Sequence, residues 1–197
     1  FEIIEFLRSG MKKNQNLFLK IIISTLPSIF VGTLVYIYFV SYLRNINVIA
    51  FSCIIFGIIL LLADKNSKSN KNFREISYYE AFIIGIFQCL AFIPGASRSG
   101  VVISGSRILG LSRQSAAIYS MLLSIPIILA SMIIIMPEFL NQDLDKFNLS
   151  NIFISVIISS ITAFLSIKFM MNLVKKYTYN FFVSYRIILG IILLLWI

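Results

Sequence analysis

The sequence contains no histidine and has few charged residues. Of its 197 residues, 13% are charged and 59% are hydrophobic, whereas soluble domains carry about a quarter charged residues. The absence of histidine excludes a histidine general base and a histidine-ligated zinc site from this chain. The low share of charge excludes an ordinary soluble domain and favours a protein whose surface lies in lipid.

Cysteine is also scarce. The two cysteines, Cys53 and Cys89, lie within apolar segments, where thiols are usually small buried hydrophobes, so we predict no disulfide. The net charge of +9 would suggest nucleic acid as the partner of a soluble protein. Here the basic residues lie in short segments between apolar runs, as in cytoplasmic loops of membrane proteins. We therefore predict no nucleic-acid partner.

Five apolar segments are long enough to cross a bilayer, which requires about 17 to 25 residues. They comprise residues 21–43, 47–63, 115–136, 151–171 and 180–197. A sixth segment, Tyr79 to Ile93, is shorter and runs into Pro94 and Gly95, where a continuous helix is unfavourable. We therefore predict an all-α integral membrane protein, a polytopic helical bundle that forms a single domain over 1–197.

Lysine and arginine predict the side of the membrane on which each loop lies. They are concentrated before the first span, after the second, and around the end of the span 151–171; these residues are Arg8, Lys12, Lys13, Lys20, Lys65, Lys68, Lys71, Arg74, Lys168, Lys175 and Lys176. The loop 137–150 carries three acidic residues and one lysine, and the turn at 44–46 carries only Arg44. The first group is therefore predicted to be cytoplasmic and these two loops external.

This orientation limits how residues 79–107 can lie in the membrane. The span 115–136 must join a cytoplasmic loop to an external one, so 79–107 has to enter and leave on the cytoplasmic side. Irregular backbone at membrane depth is tolerated where protein or a water-filled cavity covers it, and a broken helix is a recurring binding element in lipid. We predict a re-entrant helix–loop–helix over 79–107. One kinked spanning helix is the alternative.

The centre of this segment combines small and hydroxyl residues with arginine. Gly95 and Gly100 would let backbone amides approach a ligand closely, and a helix beginning after Gly95 would point its free N–H groups at the same place. Ser97 and Ser99 add hydroxyl donors. Arg98 adds a planar guanidinium suited to two phosphate oxygens. The pattern predicts a site for an anion with several oxygens.

Other polar groups have plainer explanations. Arg98 itself could snorkel or pair with Glu80, although that would leave the surrounding glycines and serines unexplained. Glu80 suits a helix N-terminal cap better than catalysis. Gln88 either hydrogen-bonds near the loop or packs between helices. Arg186, within the last span, is predicted to snorkel to the cytoplasmic interface.

The string Pro94-Gly-Ala-Ser-Arg-Ser-Gly100, with Gln88 ahead of it, resembles the second signature of the undecaprenyl-diphosphate phosphatase (bacitracin-resistance) family. The similarity continues in Ile103-Ser-Gly105, Gly110-Leu-Ser-Arg113, Leu122-Leu-Ser-Ile-Pro126, and Tyr185-Arg186 with Gly190. It extends from the first residues of the chain to the last.

The resemblance implies a membrane phosphatase of the bacterial cytoplasmic membrane. It would hydrolyse undecaprenyl diphosphate to undecaprenyl phosphate and phosphate, which recycles the lipid carrier for peptidoglycan and other cell-wall polymers. The implied partners are this polyprenyl diphosphate and membrane lipids, with a homo-oligomer left open. A transporter or flippase of an anionic lipid headgroup is the alternative, because midplane anion sites occur there too.

The resemblance also implies an inverted-repeat architecture, with one re-entrant loop in each repeat, and a divalent cation, Mg²⁺ or Ca²⁺, on the diphosphate. By position, the implied catalytic residues are Arg98, Ser97 and Ser99. The implied substrate-binding residues are Gly95, Ala96, Gly100, Gln88 and Ser104.

One part of the family pattern is missing. The family's first signature contains glutamates, a serine-rich turn and a histidine, and this chain has no such motif, so we expect no metal ligand in it. The sequence begins with Phe1, and we expect an N-terminally truncated piece, with a relative that binds without turnover as the alternative. Alone, these residues should catalyse poorly, because arginine and loop amides stabilise charge but supply no activated nucleophile.

Overall fold

The computed structural model describes residues 15–38, 45–67, 70–140 and 149–196. These ranges contain seven α-helices: α1 (Gln15–Tyr38), α2 (Ile46–Asn66), α3 (Tyr78–Cys89), α4 (Arg98–Ile108), α5 (Arg113–Leu140), α6 (Leu149–Lys176) and α7 (Asn180–Trp196). A short 3-10 turn, Leu90–Phe92, follows α3. The described ranges contain no strand beyond one isolated bridge, and the predicted all-α class is confirmed.

Four of the helices in these ranges are long and apolar enough to cross a membrane: α1, α2, most of α5 and most of α6. The fifth predicted span corresponds to α7, which is apolar but shorter, at 17 residues. The predicted bounds agree closely with the helices, except that α1 begins earlier, at Gln15. Hydropathy locates the apolar part of a helix, whereas the helix itself continues into polar residues. The predicted end of this first span, at 39–43, lies outside the described residues.

The surface of the fold is apolar where a soluble protein would be polar. The most apolar 18-residue stretch of α6 buries none of its residues inside the protein, and many large side chains of this helix are exposed, among them Phe153, Phe164 and Phe169. Large exposed apolar surfaces require an apolar surrounding. The chain is thus a multi-pass integral membrane protein. Arg8, Lys12 and Lys13 and the loop 141–148, which set the predicted orientation, lie outside the described residues.

Helices α3 and α4 form a hairpin whose two ends lie side by side. The amide of Lys71 donates to the carbonyl of Gly110 at 3.1 Å, and the amide of Ser112 donates to the carbonyl of Lys71 at 3.0 Å. The chain therefore leaves the hairpin beside the point where it entered. This is the geometry that a helix–loop–helix over 79–107 requires, and a single kinked helix does not have it.

The beginning of the hairpin is capped as the sequence predicts. Ser77 and Glu80 form a reciprocal capping box, with the Ser77 amide 2.6 Å from the Glu80 carboxylate and the Glu80 amide 3.2 Å from Ser77 Oγ. The same carboxylate accepts from Lys71 Nζ at 2.7 Å. Glu80 is therefore a helix cap and pairs with Lys71, not with Arg98.

The end of α4, at the base of the hairpin, is fixed by a buried ionic cluster. Asp64, at the end of α2, accepts from Arg107 Nε of α4 at 3.0 Å and from Arg113 Nε of α5 at 2.8 Å. The hydroxyl of Tyr179, just before α7, donates to the carbonyl of Arg113 at 2.8 Å. The cluster connects four of the seven described helices around the base of the hairpin.

Candidate functional site

The loop between α3 and α4 has an unusual backbone. Gly95 has φ of +87° and Ser97 has φ of +65°, and Ser97 is the one described residue other than glycine with positive φ. Such a conformation costs a non-glycine residue about 1–3 kcal/mol and is concentrated at functional sites. In this conformation Ser97 caps the beginning of α4, where its Oγ accepts a hydrogen bond from the Gly100 amide at 3.3 Å.

The beginning of α4 presents free hydrogen-bond donors. The Gly100 amide is taken by Ser97 Oγ and the Val101 amide by the Ser97 carbonyl. The amides of Arg98 and Ser99, in the first turn, have no acceptor within the helix. Ser99 Oγ lies 3.5 Å from Ser97 Oγ. Together with the positive end of the helix dipole, these groups form a suitable site for an anion.

A cavity of about 450 Å³ lies against this helix start. Helices α2, α4, α6 and α7 and the loop before α4 form its walls. The lining residues are Cys53, Leu60, Gly95, Ser97, Ser99, Gly100, Ile103, Met170, Tyr179, Phe182, Tyr185, Arg186 and Leu189. Two serine hydroxyls and one guanidinium are thus set in a largely apolar wall.

The prediction that Arg186 snorkels to the interface is wrong. Only 8% of its surface is exposed, and its Nη2 donates to the carbonyls of Gly95 and Ala96 at 2.9 Å and 2.8 Å. The loop bends its carbonyls towards α7, and the guanidinium satisfies them both. An arginine within an apolar span is a functional candidate by default. That signal was present in the sequence, but it did not reveal which loop the arginine meets.

The other end of this guanidinium has no partner. Arg186 Nη1 is buried and makes no hydrogen bond, and none of the ion pairs found among the described residues includes Arg186. A Cβ added to Gly100 would lie 2.7 Å from Nη1, so glycine at this position leaves room for the nitrogen. A buried cation without a counterion is costly. Because Arg186 lines the cavity, its positive charge lies next to any anion bound there.

Four of the residues predicted for the site line this cavity: Gly95, Ser97, Ser99 and Gly100. Arg98 does not. Its side chain is exposed, makes no hydrogen bond or ion pair with another described residue, and does not belong to the cavity wall. Its catalytic role stays a prediction.

The remaining three predicted residues lie outside the cavity wall. Gln88 Nε2 donates to Ser28 Oγ of α1 at 2.9 Å. Gln88 therefore packs between helices, which is one of the two explanations that the sequence allowed. Ser104 Oγ donates to the carbonyl of Gly100 at 2.8 Å, within α4. Ala96 is fully buried and contributes its carbonyl to Arg186. Their contacts with substrate stay predictions.

The described residues do not fit a bound divalent cation. They contain no group of three or more histidine, cysteine or acidic side chains that could hold a metal ion. The cavity wall includes no carboxylate, and hard cations such as Mg²⁺ and Ca²⁺ bind through oxygen ligands, chiefly carboxylates.

Comparison with known proteins identifies the family. Residues 2–192 match the family described as Bacitracin resistance protein BacA. The chain belongs to this family. A curated relative, the Undecaprenyl-diphosphatase of Ruegeria sp. (strain TM1040), is 35% identical over 184 residues, which cover 92% of this chain and 68% of the relative. The matched part of this BacA-family chain contains the hairpin, the cavity and Arg186, and the resemblance seen in the sequence is confirmed.

Proposed function

We propose that this BacA-family protein is an undecaprenyl-diphosphate phosphatase of the bacterial cytoplasmic membrane. It hydrolyses undecaprenyl diphosphate to undecaprenyl phosphate and inorganic phosphate, and so returns the lipid carrier to cell-wall synthesis. One observation carries this proposal beyond family membership. A cavity among membrane helices combines free amides at a helix start, two serine hydroxyls and an unpaired buried guanidinium.

These donors suit phosphoryl transfer. Water supplies the attacking oxygen, the bond between the terminal phosphorus and the bridging oxygen breaks, and the lipid monophosphate leaves. The transferred group carries its charge on three oxygens, so catalysis depends on positioning and electrostatic stabilisation. Ser97, Ser99 and the first amides of α4 would bind the diphosphate, and Arg186 would supply positive charge from the facing wall.

Arg98 has a separate role in this proposal. It occupies the first turn of α4, its guanidinium is exposed, and no carboxylate of the described residues forms an ion pair with it. We assign it to the phosphate that is transferred, where a planar guanidinium can contact two oxygens. The diphosphate would carry a divalent cation, for which the described residues provide no cluster of three ligands.

The direct test is phosphate release in detergent. The full-length gene product, purified in micelles, should release inorganic phosphate from undecaprenyl diphosphate. A transporter or flippase would bind the headgroup but release no phosphate. Absence of phosphate release from folded full-length protein would contradict the proposed function.

The role of Arg98 is tested by Arg98→Ala in the same protein. Phosphate release should fall at least about a hundredfold, since removing one donor of this kind from a transition state typically costs 10²–10³ in rate. Arg74→Ala is the matched control, because Arg74 is also exposed but lies in the segment before the hairpin, outside the cavity wall. Membrane insertion should be unchanged in both. Near-normal release by Arg98→Ala would remove the assigned role.

A further inference from the structure

The cavity wall contains a cysteine that the proposed hydrolysis does not use. Cys53 lies on α2, lines the cavity and has 6% of its surface exposed. Its Sγ donates to the carbonyl of Gly95 at 3.6 Å, so the thiol lies directly against the loop before α4. It forms no disulfide. The cavity therefore has a free sulfur nucleophile in its wall.

The charge beside this thiol is positive. Arg186 Nη2 donates to the same Gly95 carbonyl at 2.9 Å, so the guanidinium and the thiol share one acceptor. Arg186 Nη1 is buried and has no hydrogen-bond partner among the described residues, and the cavity wall includes no carboxylate. The start of α4 adds the positive end of its dipole. Reactive cysteines are typically found in such surroundings, beside arginine and near helix N-termini.

The other cysteine of the chain has different surroundings. Cys89 is the last residue of α3, and its Sγ donates to the carbonyl of Gly85, one turn earlier in the same helix, at 3.4 Å. It is more exposed than Cys53 but does not line the cavity. Exposure alone would therefore favour reaction at Cys89, whereas the positive charge of the cavity favours reaction of an anionic reagent at Cys53.

We propose that Cys53 is a modification site for small anionic compounds with a reactive S–S bond, namely disulfides and thiosulfonates. The positive cavity attracts the anion, and the sulfur of Cys53 attacks one sulfur of its S–S bond. A new S–S bond forms to the protein and the old one breaks. The leaving fragment departs with the electron pair, as a thiolate or a sulfinate, and the thiol proton passes to water. Cys53 is thereby oxidised to a mixed disulfide and the compound is reduced.

The attached group then blocks the cavity. An anion tethered to Cys53 lies beside Arg186 and the start of α4, where it supplies the acceptor that Nη1 lacks. It thus takes the place of a phosphate group of the substrate. Reduction by a small thiol releases the fragment and restores the cavity. The resulting loss of activity rests on the proposed function, whereas the modification itself does not.

The probes are two methanethiosulfonates of similar size and opposite charge, the 2-sulfonatoethyl and the 2-(trimethylammonio)ethyl compounds. Each rate is divided by the rate of the same compound with N-acetylcysteine amide in solution. In folded full-length protein in detergent, the sulfonate should then modify Cys53 at least about tenfold faster than the cation, since focused charge raises encounter rates 10- to 10³-fold. Peptide mass spectrometry measures Cys53 and Cys89 separately, and at Cys89 the two corrected rates should be similar.

Inorganic diphosphate and two variants test the link between Cys53 and the cavity. Diphosphate should slow modification of Cys53 but not of Cys89. The sulfonate should abolish phosphate release by wild-type protein and by Cys89→Ser, the matched control, and dithiothreitol should restore it. Cys53→Ser should keep its own untreated activity after exposure to the sulfonate. If Cys53→Ser fails to fold, Cys53→Ala serves for the same comparison.

The outcomes separate this inference from the proposed function. Preferential, diphosphate-sensitive reaction of the sulfonate at Cys53 supports the modification site. Equal corrected rates for the two compounds at Cys53, or reaction at Cys89 alone, overturn it. Inhibition of Cys53→Ser by the sulfonate overturns the blocking of the cavity through this residue, as does a lack of protection by diphosphate. If untreated full-length protein releases no phosphate, the proposed function fails, and the labelling rates still decide the modification site because they require no turnover.

Discussion

At the scale of single residues, Arg186 shows how one side chain can serve both the fold and the site. Its Nη2 holds the carbonyls of Gly95 and Ala96, and its Nη1 remains unpaired beside Gly100. A lysine has one nitrogen on a flexible stem and lacks the planar fork. It can keep the charge, but it cannot satisfy both carbonyls while reaching an anion from the same position.

We therefore expect Arg186→Lys to lower kcat/KM for phosphate release about tenfold to a hundredfold, with the protein still folded. Charge-assisted hydrogen bonds contribute about 1.5–3 kcal/mol each, and one or more would be lost. Steady-state phosphate release in detergent measures the effect, with Arg74→Lys as a control on the surface. Wild-type kinetics in Arg186→Lys would show that charge alone suffices at this position.

At the scale of helices, the hairpin depends on close approach to α1. Ser24 Oγ donates to the carbonyl of Ala81 at 2.6 Å, and Ser28 Oγ donates to the carbonyl of Gly85 at 3.2 Å. Small residues at a helix crossing let two backbones come together in a membrane. At Gly85 the approach is closest, because an added Cβ would collide with the backbone carbonyl of Ser24.

Gly85→Ala should therefore destabilise the protein by about 1–3 kcal/mol, the usual cost of overpacking a filled interior. The backbone of α1 is what obstructs the new methyl group, so a side-chain rotation cannot relieve the clash. Gly57→Ala is the matched control, since the nearest atom to its added Cβ would be Ile187 Cγ1 at 3.4 Å, an ordinary contact. Thermal unfolding in detergent should separate the two; equal midpoints would contradict this account of the crossing.

The sequence predicted the helices better than it predicted their contacts. Hydropathy located the spans because membrane helices are apolar over most of their length, and charge asymmetry predicted the hairpin. The loop string indicated an anion site, since glycines, serines and a helix start are local features. Arg186 is 91 positions from Gly95, and no local pattern connects them. The resemblance implied Gln88 and Ser104 as binding residues, whereas both side chains hydrogen-bond away from the cavity wall.

At the scale of the whole molecule, apolar surface faces outward and, Arg186 apart, the buried charges of the described residues are paired. Asp64 is the clearest case, with 2% of its side chain exposed and two arginines bound to its carboxylate. Arg107 is buried as well, with 4% exposed, while Arg113 is 37% exposed. Because these residues and Tyr179 belong to four parts of the chain, the cluster holds the base of the hairpin against α2, α5 and α7.

Asp64→Asn removes the negative charge and keeps the size of the side chain. Arg107 would then be a buried cation without a counterion, and breaking a buried pair in this way costs about 3–5 kcal/mol. We expect a loss at the lower end of that range, since the amide oxygen can still accept one hydrogen bond and Arg113 can turn towards water.

Thermal and denaturant unfolding in mixed micelles measure this loss. Glu75→Gln is the control, because Glu75 is an exposed carboxylate that accepts from a neighbouring backbone amide, and surface changes of this kind stay within about 0.5 kcal/mol. Adding Arg107→Gln to Asp64→Asn should recover part of the stability, since it removes the unpaired cation. A double variant less stable than Asp64→Asn would mean that Arg107 acts chiefly through its hydrogen bonds to the carbonyls of Asp64, Ser67 and Leu111, and that the carboxylate is secondary.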